Sequence, residues 1–235
     1  MRKFRFEEDG DIAGDILDKY GYAGDLAQIY ASNEGASVHK WHHYIPLYDR
    51  YFSKFRGTAV RFLEIGVNHG GSLQLWRKYF GKDAKIFGID INPDCARYDG
   101  QSGQVRIGSQ ADPEFLSEVV DEMGGVDLIL DDGSHRMKHI EASLMALYPR
   151  LSPGGAYVIE DLHTAYFPKY GGGYRAKTSF FNLLRRMVDD MHHWYHRKGL
   201  RFPAMEGAFA GFHIHDSMVV IEKEKVHRPV HSRVK

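Results

Sequence analysis

The stretch Arg61-Phe62-Leu63-Glu64-Ile65-Gly66-Val67-Asn68-His69-Gly70-Gly71-Ser72 decides the fold. Its first half is a short apolar run of strand length. Glycines follow, where the backbone can approach a ligand with no Cβ in the way. Residues 72–80 then read as a helix with Ser72 as its N-terminal cap. A strand that passes through a glycine-rich loop into a helix opens the βαβ unit of a nucleotide-binding sheet.

The same alternation continues downstream. Further apolar runs at 84–90, 105–108, 126–133 and 155–161 read as strands, and 113–122, 137–147 and 177–197 as helices. Pro113 suits a first helical turn, where a missing N–H costs little. Continuous apolar strands separated by helices predict a mostly parallel sheet covered on both faces. Residues 212–223 break the pattern: two runs joined by His215-Asp216-Ser217 predict an antiparallel hairpin at the sheet edge. The expectation is therefore an α/β fold with a doubly wound, mostly parallel seven-stranded sheet. Helical pieces at 11–20 and 45–55 form a short N-terminal entry segment over residues 1–56. The main domain spans 57–223, and 224–235 reads as a basic, solvated tail.

Composition narrows the class. The 235 residues carry 31 Lys+Arg against 31 Asp+Glu, so no dominant basic field points to nucleic acid. A hydrophobic content of 43% excludes intrinsic disorder. Cys95 is the only cysteine, which excludes an intramolecular disulfide and fits a reducing compartment. No apolar run approaches the length of a membrane span. The opening MRKFRFEEDGD turns acidic where a signal peptide would be apolar. A cytoplasmic protein is expected, and a homo-oligomer on general grounds.

The glycine loop reads G-x-x-x-G-G, not the dinucleotide G-x-G-x-x-G, and it lacks the Gly-Lys-Ser/Thr of a P-loop. Glu64 precedes its first glycine. A carboxylate there repels a pyrophosphate and suits a cofactor bearing an amino group or positive charge. Asp90 ends the second strand, where an acid binds a ribose hydroxyl pair in doubly wound folds. Ribose with a cationic, amino-bearing portion describes S-adenosylmethionine. On these motifs, residues 57–223 resemble the class I S-adenosylmethionine-dependent methyltransferases. The resemblance implies that Glu64, Gly66, Asn68, Gly71 and Ser72 wrap the methionine portion. It also implies that Asp90 and Ile91 take the ribose, that Ser109 and Gln110 flank the adenine, and that Asp131 closes the site near the sulfonium.

Asp131-Asp132-Gly133-Ser134-His135 ends the fourth strand and Glu160-Asp161-Leu162-His163 the fifth. On adjacent parallel strands these acids crowd into one volume, roughly 5 Å from strand to strand. Such crowding calls for a cation, and a hard divalent ion such as Mg2+ prefers carboxylate oxygens. Consecutive residues at a strand end face opposite sides, so Asp131 is assigned to the cofactor and Asp132, with Glu160 and Asp161, to the metal. His135, three residues past Asp132, is positioned to take a proton from an acceptor hydroxyl. The aromatic and glycine-rich run 166–174 has the composition of a substrate lid.

The Asp131-to-His135 and Glu160-to-Pro168 runs, with the N-terminal stretch from Lys40 to Phe52, are similar to the metal-dependent macrolide sugar O-methyltransferases of the mycinamicin and macrocin type. That resemblance implies the same roles: Asp132, Glu160 and Asp161 for the metal, His135 as base, and a sugar hydroxyl as acceptor. A catechol would offer the metal the same two adjacent oxygens, so that acceptor stays open. So does a non-catalytic cofactor-binding subunit, although a scaffold has no use for so repulsive a cluster.

Overall fold

A computed structural model describes residues 10–234. The opening nine residues, on which the reading of an acidic N-terminus partly rests, lie outside the described residues. Strands β1 (Arg61–Ile65), β2 (Lys85–Asp90), β3 (Gln104–Ile107), β4 (Val126–Asp131), β5 (Leu151–Ile159), β6 (Phe209–His215) and β7 (Met218–Lys223) form one sheet. Its order is β3-β2-β1-β4-β5-β7-β6. β1 to β5 pair in parallel, and β7 runs antiparallel between β5 and β6. The strand order reverses between β1 and β4, and ligands bind open α/β sheets at the carboxyl ends flanking that point.

The period of two sorts the side chains into two cores. Leu63, Ile65, Phe87, Ile89, Ile129, Tyr157 and Ile159 face α5 (Pro113–Met123), α6 (Met137–Leu147) and α7 (Phe180–Met191). Phe62, Ile86, Leu128, Leu130, Ala156 and Val158 face the opposite way, against α4 (Gly71–Phe80) and the N-terminal helices. Those helices are α1 (Ile12–Tyr20), α2 (Asp25–Ala31) and α3 (Tyr44–Phe52). Ile16, Leu26, Tyr44, Tyr48 and Phe52 are fully buried in the same cluster as Trp76 and Phe62. The entry segment thus supplies a core layer of the sheet.

Three details differ from the sequence reading. Ser72 does not cap α4: Gly70, left-handed at φ 75°, stands at the cap, and Ser72 is the helix's second residue. α2 was not anticipated. It is seven residues long, and no side chain caps its start. α7 is shorter than 177–197 because buried Asp190 accepts N–H bonds from Arg201 and Phe202, turning the chain back on itself.

Candidate active site

The loop after β1 lies under close backbone approach. Gly66 has φ 101°, and a Cβ there would stand 2.3 Å from the Asp132 carbonyl oxygen. Only glycine therefore lets the loops after β1 and β4 meet. Asp90, at the end of β2, fastens the same loop. Its Oδ2 accepts from Val67 N at 2.9 Å and Asn68 N at 3.0 Å, and its Oδ1 from Asn92 N at 2.8 Å. Burial pushes this carboxyl up, but the three N–H donors prevail and hold it below its ordinary range.

A cavity of about 500 Å³ opens over these carboxyl ends. Of the expected cofactor residues, Gly66, Asn68, Gly71, Ser72, Asp90, Ile91, Ser109 and Gln110 line it. So do Asp132, His135, Glu160 and Asp161.

Glu64 and Asp131 do not line it, and their expected cofactor contacts need correction. Glu64 lies on the α4 face, fully buried, with its oxygens taken by Ser72 Oγ at 2.7 Å and Trp76 Nε1 at 3.1 Å. Burial pushes its carboxyl up to about 7. Asp131 turns to the α6 face, where Ser143 Oγ (2.8 Å), Tyr157 OH (3.0 Å) and Gln110 Nε2 (3.1 Å) surround it. Burial raises its carboxyl despite those donors. Both are internal polar anchors. Asp131 holds Gln110, whose Oε1 in turn accepts from Ser134 N at 2.7 Å and so fixes the loop that carries His135.

The opposite end of the cavity is acidic. Asp132 Oδ1 lies 3.9 Å from His135 Nε2, and Asp161 Oδ2 lies 3.8 Å from it. One ligand atom from each of these three residues fits within 4.8 Å of the others. His135 and Asp161 both hold left-handed backbone, at φ 56° and 58°. Such conformations cost about 1–3 kcal/mol each in non-glycine residues and gather at functional sites. Two carboxylate oxygens converging on one space suit a hard divalent ion, and the His135 imidazole opens on the same space beside them.

The remaining oxygens of the acids are held from behind by residues 40–48. Lys40 Nζ donates to Asp132 Oδ2 at 2.6 Å and Glu160 Oε1 at 2.8 Å, and lies 3.9 Å from Glu64. Trp41 Nε1 and Tyr44 OH donate to Asp161 Oδ1 at 3.1 and 2.9 Å, and Tyr48 OH donates to Glu160 Oε2. Both Glu160 oxygens are thus engaged within the chain, each keeping one lone pair. Burial opposes the charge on Lys40, but Asp132, Glu160 and Glu64 outweigh it and hold the ammonium well above the ordinary lysine range. Burial and the neighbouring Asp132 push Glu160 up. The sequence reading did not single out Lys40. Lys40 opens the Lys40-to-Phe52 run, but no local pattern marks it as a partner of the acids.

His213 pairs with Glu222 at 2.8 Å, His215 with Tyr51 OH, and His192 and His193 with backbone carbonyls, whereas His163 lies 3.9 Å from Asp161 Oδ1 and bonds Ser217 Oγ at 2.8 Å, and His39, His69 and His139 line the cavity. The run 166–174 is folded into short turns. Gly173 N donates to Ala165 O, the Tyr170 ring stands 6.4 Å from the His135 ring, and the Phe167 ring 5.9 Å from that of His163. Among the described residues, no helix is long and apolar enough to cross a membrane.

Comparison with known proteins finds a methyltransferase domain and several O-methyltransferase relatives. Residues 63–162 match the methyltransferase-domain family. The chain is 35% identical to a Streptomyces olivaceus tetracenomycin rhamnosyl 3'-O-methyltransferase, over 94% of this chain and 60% of that protein. It is 36% identical to the demethylmacrocin O-methyltransferase of Streptomyces fradiae, over 85% of this chain and 52% of that one. The MycE methyltransferase of the mycinamycin pathway, solved with Mg, S-adenosylhomocysteine (SAH) and mycinamycin VI, superposes with a TM-score of 0.76 at 29% identity. That match covers 93% of this chain and 62% of MycE. The chain thus spans little more than half the length of these relatives. With the cavity and its acidic end, these likenesses mark residues 63–162 as a methyltransferase domain, and the chain is similar to the tetracenomycin rhamnosyl and demethylmacrocin O-methyltransferases and to MycE.

Proposed function

We propose that this chain is an S-adenosylmethionine- and divalent-metal-dependent O-methyltransferase acting on a sugar hydroxyl of a glycosylated small molecule. One observation carries the reading. A single cavity joins a glycine loop fastened to Asp90 at one end to the convergent Asp132 Oδ1, Asp161 Oδ2 and His135 Nε2 at the other. The relatives that act on rhamnosyl and macrolide substrates support a sugar acceptor.

Asp132 and Asp161 would hold the divalent ion, with the free lone pairs of Glu160 behind them. The bound ion would lower the pKa of the acceptor hydroxyl, and S-adenosylmethionine would supply an already activated methyl group. Gly66, Asn68, Gly71 and Ser72 would receive the methionine portion of the donor. Asp90 would bind the ribose hydroxyls with its free lone pair, Ile91 would flank them, and Ser109 and Gln110 would border the adenine. His135 Nε2 opens on the same space as the acids and would take the acceptor's proton as the oxygen attacks the methyl carbon and the sulfur–methyl bond breaks, leaving S-adenosylhomocysteine. Residues 37–41 line the cavity, with the Ser37 carbonyl packed against Gly71, and would limit water.

The test is methyl transfer from S-adenosylmethionine to a panel of glycosylated and phenolic acceptors, read by mass spectrometry with Mg2+ or with chelator. The proposal expects a product 14 Da heavier from a glycosylated acceptor, lost on chelation, and a His135→Ala turnover lowered roughly 100-fold or more. Methylation of catechols alone would move the acceptor to a phenolic diol. Full turnover in chelator would remove the metal.

A further inference from the structure

We infer that Lys40 is a built-in counter-ion of the metal site, a positioning residue that lets the acidic cluster fold and keep its shape before any ion arrives. The inference rests on the metal-dependent reading above.

Lys40 is 4% exposed and shares its ammonium between two acids from different strand ends, Asp132 after β4 and Glu160 after β5. Glu64 lies 3.9 Å away on β1. One buried cation therefore ties the carboxyl ends of three strands. Without it, three carboxylates would stand in one low-dielectric volume, and breaking a buried ion pair strongly destabilises a fold by leaving the partner charge uncompensated. Its placement is selective. Lys40 takes Asp132 Oδ2 and leaves Oδ1 facing His135. Trp41 and Tyr44 take Asp161 Oδ1 and leave Oδ2 facing the same ring. Donors that engage the far oxygen of a ligating carboxylate orient the near one. The Tyr30 hydroxyl fixes the segment, donating to Lys40 O at 2.9 Å and accepting from Lys40 N at 3.1 Å. The ammonium is thus aimed by its own backbone.

A counter-ion and a divalent ion meet the same need, so removing Lys40 should make the fold depend on the metal. The experiment compares unmodified protein, Lys40→Met and Lys40→Arg by thermal unfolding with and without Mg2+, alongside calorimetric Mg2+ titration. Lys40→Met should unfold at lower temperature in chelator and gain about twice the Mg2+-induced rise in Tm of the unmodified chain or more. Lys40→Arg keeps the charge and should restore most of the metal-free Tm. Purification of Lys40→Met in Mg2+ followed by chelation keeps the test open if that variant folds only with metal, which is itself the expected behaviour. A Lys40→Met Tm lowered equally with and without Mg2+ would reduce Lys40 to packing and overturn the inference. So would an unchanged metal-free Tm. Failure of the unmodified protein to bind Mg2+ at all would instead overturn the metal-dependent reading on which the inference rests.

Discussion

Asp131 and Asp132 are consecutive yet serve opposite faces of the sheet. Asp131 is buried against α6 among Ser143, Tyr157 and Gln110, whereas Asp132 faces the cavity, Lys40 and His135. The two substitutions should therefore fail differently. Asp131→Ala leaves the buried Tyr157 hydroxyl and Gln110 amide without this acceptor, while Ser143 keeps the His139 carbonyl, and should cost about 2–4 kcal/mol of stability. Asp132→Ala should cost far less stability than that and should remove metal binding. Urea denaturation of both variants, with SAH affinity measured in each, checks this. Equal destabilisation would contradict the division of roles.

Asp90 bridges the glycine loop and the proposed ribose position. Removing its carboxylate frees Val67 N, Asn68 N and Asn92 N together. Asp90→Ala should weaken SAH binding by roughly tenfold or more, since one lost charge-assisted hydrogen bond is worth about 1.5–3 kcal/mol. Isothermal titration calorimetry reads this directly, and unchanged affinity would count against the ribose assignment.

Glu64 predicts a pH dependence of stability. Its carboxyl is pushed by burial up to about 7, above the ordinary value of 4.5. Between those values the folded chain holds a proton that the unfolded chain has released. The contribution of Glu64 is therefore full below pH 4.5 and is lost as pH rises through 7, with a slope on the order of 1 kcal/mol per pH unit in that window. Glu64→Gln keeps an acceptor for Trp76 and a partner for Ser72, and should flatten this part of the curve. Denaturation midpoints of both proteins from pH 4.5 to 7.5, in chelator, provide the measurement; parallel curves would refute the assignment.

Much of the fold is legible because the strands are continuous apolar runs and the loops between them carry glycine, proline and capping residues. The hairpin 209–223 is legible from its turn. The two-residue period says that Asp131 and Asp132 face opposite ways, but not which face holds the ligand, because both sides of a doubly wound sheet are buried. That degeneracy explains why Asp131 is an anchor where a cofactor contact was expected, and the same holds for Glu64. Lys40 is hidden for a different reason. Its partners lie 92 and 120 residues away, a pairing that no local pattern encodes. The end of α7 is likewise set by Asp190 reaching residues 11 and 12 positions downstream.

The central claim is that the acids beyond β4 and β5 hold a divalent ion beside the methyl donor. Calorimetric titration of Mg2+ into the SAH complex tests it most directly, with Asp132→Asn and Asp161→Asn as comparisons. The account predicts one Mg2+ bound per chain in the unmodified protein and affinity lowered at least about tenfold in each variant. Binding of equal strength in all three proteins, or none in the unmodified one, would contradict it.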